Sequence, residues 1–385
     1  MRRWAALAVA IAIAAACSSQ RRPPPFQAVE PDSGTGGTLP TIDASGDGPP
    51  LCGNTIVPVI IERPNLYFIL DRSGSMAEKL PGSAYDKYEN ARIALGSVMR
   101  AIGHRVNVGA ALFPGTDSGN GCGVGKQVFP TQQGDPPSYL QQGKDGPVLT
   151  ALLATLASFA PKGGTPTTDT IKALTPTLTA LPGDTNVVLA TDGGPNCNLV
   201  TSCTADACIP NIEGASIGGV ACTPSFNCCD ESFIQGAGLN CLDGLAAVAA
   251  VTVLANAGIK TYVVGMPGST PYASVLDALA VAGLTDRPTS PKYYPVTDSD
   301  NLTQTLKAIG VKIAVSCTVE LGEAPPDPDL VNVYFDTKVV PQSDVDGWVW
   351  TDDTTIDIVG PACDELKSGD VVQVQVAAGC PTEIR

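Results

Sequence analysis

The chain has 385 residues, 44% of them hydrophobic, and a formal net charge of −15 from 38 acidic and 23 basic side chains. That balance leaves no basic stripe to neutralise phosphates, which excludes nucleic acid as a partner. Thirteen cysteines accompany a single histidine, His104, without paired Cys-x-x-Cys knuckles, which sets zinc aside and points to disulfides in an exported chain.

The chain opens with Met1-Arg2-Arg3-Trp4, runs apolar over residues 5–16 and reaches Cys17-Ser18-Ser19. A basic start, a short hydrophobic core and small residues at the cleavage point read as a secretory signal, residues 1–17, too short to span a bilayer. Ala14-Ala15-Ala16-Cys17 resembles a bacterial lipobox, which implies acylation of Cys17 and membrane attachment through the lipid. Ala14 stands where Leu is typical, so cleavage without lipid is the alternative. Ser18 after the cysteine resembles the pattern of outer-membrane rather than inner-membrane residence. Residues 18–50, with Pro23-Pro24-Pro25 and many Gly and Ser, have too little apolar surface to fold and read as a tether.

Residues 52–314 alternate strands with helices. Residues 54–71 are strand-rich, and further strands are predicted at 105–114, 185–192, 259–265 and 292–296, with an edge hairpin strand at 123–130. Helical spacing of apolar residues predicts helices at 85–102, 148–159, 167–181, 242–257, 271–282 and 301–313. Pro166 suits the first position of its helix, and Pro176 predicts a kink or a break. The order implies an α/β class: a doubly wound, mostly parallel sheet covered on both faces.

An insertion at 195–241 interrupts it, holding Cys197, Cys203, Cys208, Cys222, Cys228 and Cys229, with Cys241 at its border. It has little apolar periodicity, so covalent staples replace a core. It is either a rigid cap beside the site or a decorative loop. Residues 315–385 change to period-two alternation at 331–335, 347–350, 355–359 and 371–376, a small all-β module containing Cys317, Cys363 and Cys380. Trp348 and Trp350 share a face there, for packing or for stacking on a sugar.

In a parallel sheet the loops divide between two edges. Cys122 falls with the seven insertion and border cysteines, and Cys52 with Cys317, Cys363 and Cys380. Both groups are even, so Cys122 is expected to pair into the insertion and Cys52 into the β module.

Three segments carry the chemistry. The apolar run Leu66–Leu70 ends in Asp71-Arg72-Ser73-Gly74-Ser75, whose alternating oxygens can converge from a tight turn that Gly74 permits. Gly163-Gly164-Thr165-Pro166-Thr167 opens a helix, and the run 187–190 ends in Thr191-Asp192-Gly193-Gly194. Each places an oxygen where open α/β sheets put their sites, and carboxylate and hydroxyl oxygens suit a hard divalent cation. Thr165 also reads as an ordinary N-cap. Together the segments resemble the metal-ion-dependent adhesion site of the von Willebrand factor type A family, at Asp71, Ser73, Ser75, Thr165 and Asp192. The resemblance spans roughly residues 60–314 without the insertion and extends to cysteine-rich bacterial lipoproteins with that domain, while the last module resembles no family. The resemblance implies a divalent cation, Mg²⁺ first with Ca²⁺ or Mn²⁺ as alternatives. Ser73 and Ser75 would ligate directly, and Thr165 and the two aspartates directly or through water. One coordination position would stay open for a carboxylate of a protein partner.

The expected function is metal-dependent, adhesion-type binding on the bacterial envelope. The alternatives are a structural envelope protein whose metal only stabilises the fold, and carbohydrate binding by the last module. An enzyme is not expected: His104 has no Gly-x-Ser-x-Gly elbow nearby, and five oxygen ligands without a base do not suit hydrolysis.

Overall fold

The computed structural model describes residues 55–57, 59–60, 63–116, 119–198, 202–232, 234–368, 371 and 374–384. The signal segment, Cys17, the tether and Cys52 lie outside the described residues.

The centre is a six-stranded sheet with spatial order Tyr294–Pro295, Lys260–Gly265, Thr185–Thr191, Asn65–Asp71, Asn107–Phe113, Lys126–Gln133. All neighbours are parallel except the last pair, where Lys126–Gln133 returns antiparallel with register shifts as an edge strand. Strand Asn65–Asp71 is buried along its whole length because both of its faces are covered. Leu66, Phe68 and Leu70 pack under helices Lys87–Ile102, Pro147–Ala157 and Ser299–Ala314. Tyr67 and Ile69 pack on the other face under Thr167–Thr179, Gly244–Asn256 and Ala273–Ala282. Period-two alternation thus feeds two apolar layers from one continuous apolar run.

Pro176 does not break its helix, which runs unbroken from Thr167 to Thr179. The Thr175 hydroxyl donates to the Ile171 carbonyl at 2.8 Å in the same turn. Among the described residues no helix is long and apolar enough to cross a membrane.

The β module is not confined to the C-terminal residues. Its two four-stranded sheets recruit Thr55–Val57, antiparallel to Val374–Ala378, and Val59–Ile60, antiparallel to Thr318–Leu321. These two strands precede the α/β domain in sequence, so Thr55–Val57 and Val59–Ile60 belong with the module rather than with the sheet that carries Asp71. The module also contains a helix, Pro361–Ser368, which buries Ala362 and Leu366. Two apolar positions in eight residues are too short a pattern to show helical periodicity. The apolar core is continuous from the helix Ser299–Ala314 into the module through Val311, Ile313, Val315 and Val319.

Trp348 decides between packing and sugar stacking in favour of packing. It is fully buried, donates Nε1–H to the Val340 carbonyl at 3.0 Å and meets Trp350 edge-on. Its ring is core and cannot stack on a ligand.

Candidate metal site

Counting sheet strands alone in chain order, the arrangement is 3-2-1-4-5-6. The chain leaves Asn65–Asp71 toward one side and later returns to its other side, opening a crevice at the carboxyl end of that strand. Asp71 is its last residue. Asp192 follows the neighbouring strand Thr185–Thr191 directly.

The structure joins four of the five expected ligands in one hydrogen-bonded chain. Asp71 Oδ1 accepts the Ser73 N–H at 2.7 Å, Ser73 Oγ lies 3.2 Å from Ser75 Oγ, and Ser75 Oγ donates to Asp192 Oδ1 at 2.8 Å. The fifth, Thr165, is brought alongside by backbone contacts. Gly74 N–H donates to the Gly163 carbonyl at 2.9 Å and Lys162 N–H to the Arg72 carbonyl at 2.7 Å. Thr165 Oγ1 lies 3.6 Å from where a Cβ on Gly193 would stand.

Two local expectations change. The helix after Thr165 starts at Thr167 with Pro166 at its cap position and no side-chain cap bond, so the Thr165 hydroxyl is not spent on capping. Gly74 lies in the short turn Gly74–Ala77 without a positive φ, and an added Cβ would make only ordinary contact with Gly163 O at 3.6 Å. The glycine that needs its freedom is Gly163, at φ 90°, where a Cβ would meet Gly121 O at 2.4 Å.

The electrostatics call for positive charge. Asp71, Ser73, Thr165 and Asp192 are all buried, and Ser75 alone of the five is part-exposed. Burial, and then the charge of Asp192, push the Asp71 carboxyl up to about 7, against hydrogen bonds from Thr191 and Ser73. Asp71 Oδ2 accepts from Thr191 Oγ1 at 2.5 Å. Two buried carboxylates linked through Ser73 and Ser75, with the Thr165 hydroxyl beside Gly193, fit a hard divalent cation.

Sequence reasoning missed three contributors. Lys87 is the first residue of helix Lys87–Ile102, whose cap residue Asp86 accepts the Glu89 N–H. Its buried ammonium donates to Asp192 Oδ2 at 2.8 Å and to Glu78 Oε2 at 2.7 Å. Burial alone would lower its pKa, but the bonds and charges of Asp192 and Glu78 outweigh that and raise it. A lysine at a helix N-terminus opposes the dipole, and that was the available signal. Arg72, inside the motif, is buried and donates Nε to Pro114 O at 2.8 Å and Nη1 to Ala160 O at 2.7 Å, tying three loops together. Asn196, in the insertion, accepts the Thr165 N–H at 2.6 Å and returns its own N–H to the Thr165 carbonyl at 2.9 Å.

The insertion is bolted to this rim. Cys122 is bonded to Cys197, and a Cβ on Gly164 would stand 2.6 Å from Cys197 Sγ. The other insertion bridges are Cys203–Cys241, Cys208–Cys229 and Cys222–Cys228, and their sulfurs form the insertion's own small core. Sulfurs of Cys203, Cys229 and Cys241 lie within 4.8 Å of one another, but all three are spent in disulfides, which leaves no thiolate for a metal. Tyr272 donates its hydroxyl to Glu213 at 2.7 Å, a further attachment of the insertion to the α/β body. In the module Cys317 is bonded to Cys363, and Cys380 is also disulfide-bonded. His104 sits at the opposite sheet edge, ahead of strand Asn107–Phe113. It accepts there from Arg105 Nε and takes no part in the crevice.

A doubly wound sheet of this order, with an antiparallel edge strand and an Asp-x-Ser-x-Ser turn in its crevice, defines a von Willebrand factor type A-like fold. No family model matches the chain, and neither does any curated protein. Among solved structures, the pilus adhesin SpaC from Lactobacillus rhamnosus GG is similar with a TM-score of 0.45 at 15% identity, over 82% of this chain and 39% of that one. This chain therefore spans about two fifths of the SpaC chain. The vWF domain of the type V pili tip protein Mfa5 from Porphyromonas gingivalis gives 0.43 at 12% identity, over 66% of this chain and 96% of that one. A von Willebrand factor type A protein from Catenulispora acidiphila gives 0.39 at 13% identity, over 83% and 59%. At such scores none bears on the chemistry, and the fold assignment rests on the strand order and helix placement of the chain itself.

Proposed function

We propose that this chain is a metal-dependent protein-binding module, not an enzyme, carried on the bacterial envelope by a lipid on Cys17. The observation that carries the proposal is the buried oxygen network of Asp71, Ser73, Ser75 and Asp192 in the sheet crevice, with Thr165 on its rim. A bound divalent cation, Mg²⁺ first, would supply an electrophilic point able to accept a carboxylate from a partner protein. Asp71 and Asp192 supply the negative charge that retains such an ion, and the three hydroxyls supply neutral oxygens that leave its charge incompletely cancelled. Ser75, the part-exposed ligand, marks where a partner approaches. The insertion, held by Asn196 and the Cys122–Cys197 bond, forms the wall of that approach.

The test is calorimetric titration with Mg²⁺, paired with capture of partners from envelope extracts with Mg²⁺ and with chelator, using Asp71→Ala as control. Cation binding by the native chain alone, with capture lost in chelator, is the expected result. Capture that is indifferent to chelator and to Asp71→Ala overturns the reading. The deep burial of four of the five ligands favours one second reading, in which the ion only stabilises the fold. Chelation would then lower Tm and leave capture unchanged.

A further inference from the structure

Both carboxylate oxygens of Asp192 already accept a hydrogen bond in this arrangement. Oδ1 accepts from Ser75, and Oδ2 accepts from the ammonium of Lys87 at 2.8 Å. The lysine is not a surface residue folded inward by chance. Its side chain is 4% exposed, its backbone N–H is fixed on the Glu78 carbonyl at 2.9 Å, and the loop at Gly268 closes over it. Gly268 has φ 110°, and a Cβ there would stand 3.2 Å from Lys87 Nζ and 3.4 Å from the Asp192 carbonyl oxygen. The positive φ favours glycine at this position, and a Cβ there would crowd the ammonium. The second acceptor, Glu78, is 69% exposed, so water carries much of its charge and Asp192 is the partner that matters.

We propose that Lys87 is a built-in counter-charge to Asp192 that keeps the metal site assembled without a divalent ion and weakens the site's affinity for one. The inference rests on the metal-binding reading and concerns how that site is tuned. A buried carboxylate needs a cation or a proton. Lys87 supplies a compact point charge from a neighbouring helix and relieves Asp192 before any ion arrives. The same positive charge then repels an incoming divalent ion, and its bond to Oδ2 competes with the ion for that oxygen. The consequence is a site that loads only at high cation concentration and does not unfold when emptied.

The test uses the full chain with Lys87→Met, which keeps the length of the stem, and Lys87→Gln, which keeps a hydrogen-bond donor for Asp192 without the charge. Mg²⁺ and Ca²⁺ are titrated calorimetrically into each, and Tm is read in chelator and in Mg²⁺. Both variants are expected to bind the cations at least about tenfold more tightly than the native chain. In chelator both should melt lower than the native chain, and Mg²⁺ should raise their Tm by more. Should Lys87→Met fail to fold in chelator, Lys87→Gln carries the comparison. A native chain that binds cation, with variants that bind it equally or more weakly, overturns the role of Lys87. A native chain and Lys87 variants that all bind no divalent ion, or an Asp71→Ala chain that binds it as tightly as the native one, overturn the metal-site reading instead.

Discussion

Replacing Asp71 by Asn should stabilise this protein in one condition and weaken it in another. In the metal-free fold the Asp71 carboxyl rises from 3.8 to about 7, because it is buried and faces Asp192. At 1.36 kcal/mol per tenfold change in proton affinity, ionised Asp71 costs the fold on the order of 4 kcal/mol. The sign follows from the direction. The folded chain holds a proton that the unfolded chain releases above its ordinary carboxyl pKa. Stability is therefore lost as pH rises from about 4 to about 7 and is level above that. Asp71→Asn removes the charge and keeps an oxygen for the Ser73 N–H, while the Thr191 hydroxyl can turn to accept from the new amide. The cost of ionised Asp71 already includes the bonds from Ser73 and Thr191; the amide fits the same partners less well than the protonated carboxyl it replaces, at about 1–3 kcal/mol. In chelator the variant should roughly match the native chain near pH 5 and exceed it by about 1–3 kcal/mol near pH 8, a few degrees in Tm. In Mg²⁺ the order should reverse, since only the native chain retains the ion. Thermal unfolding at both pH values, with chelator and with Mg²⁺, decides it. A variant less stable than the native chain in chelator at the higher pH, or as strongly raised by Mg²⁺, refutes the reasoning.

Two further outcomes follow from the packing. Replacing Cys122 and Cys197 together by Ser opens a crosslink across 75 residues, worth about 4 kcal/mol in the chain-entropy model. The Tm should fall, and Mg²⁺ affinity should drop with it, because the bridge lies over Gly164 beside Thr165; unchanged affinity would detach the insertion from the site. Trp348→Ala should cost about 3–5 kcal/mol through lost burial and the lost bond to Val340. Calorimetric Mg²⁺ binding by the folded variant should match that of the native chain, and a large change in it would contradict the placement of Trp348 in a separate core.

Much of the crevice was legible in the linear chain. A buried strand is an uninterrupted apolar run, and a residue that ends one must stand at a sheet edge. Asp71 and Asp192 could be placed from that alone, and the division of loops between the two sheet edges put Cys122 with the insertion. Short or discontinuous features were not legible. Thr55–Val57 and Val59–Ile60 look like the start of the strand that follows them, yet they pair with strands more than 250 positions away. The helix Pro361–Ser368 offers too few apolar positions to declare itself.

The sequence by itself determined the alternation of layers, the two carboxylates at strand ends and the disulfide-rich character of the insertion, because periodicity and residue chemistry are local properties. Only the tertiary structure decided that Lys87 lies against Asp192, that Asn196 holds Thr165, and that Trp348 is interior. Those contacts join positions between 8 and 105 residues apart. Their partners are chosen by how helices and loops close over the sheet, which no local pattern encodes.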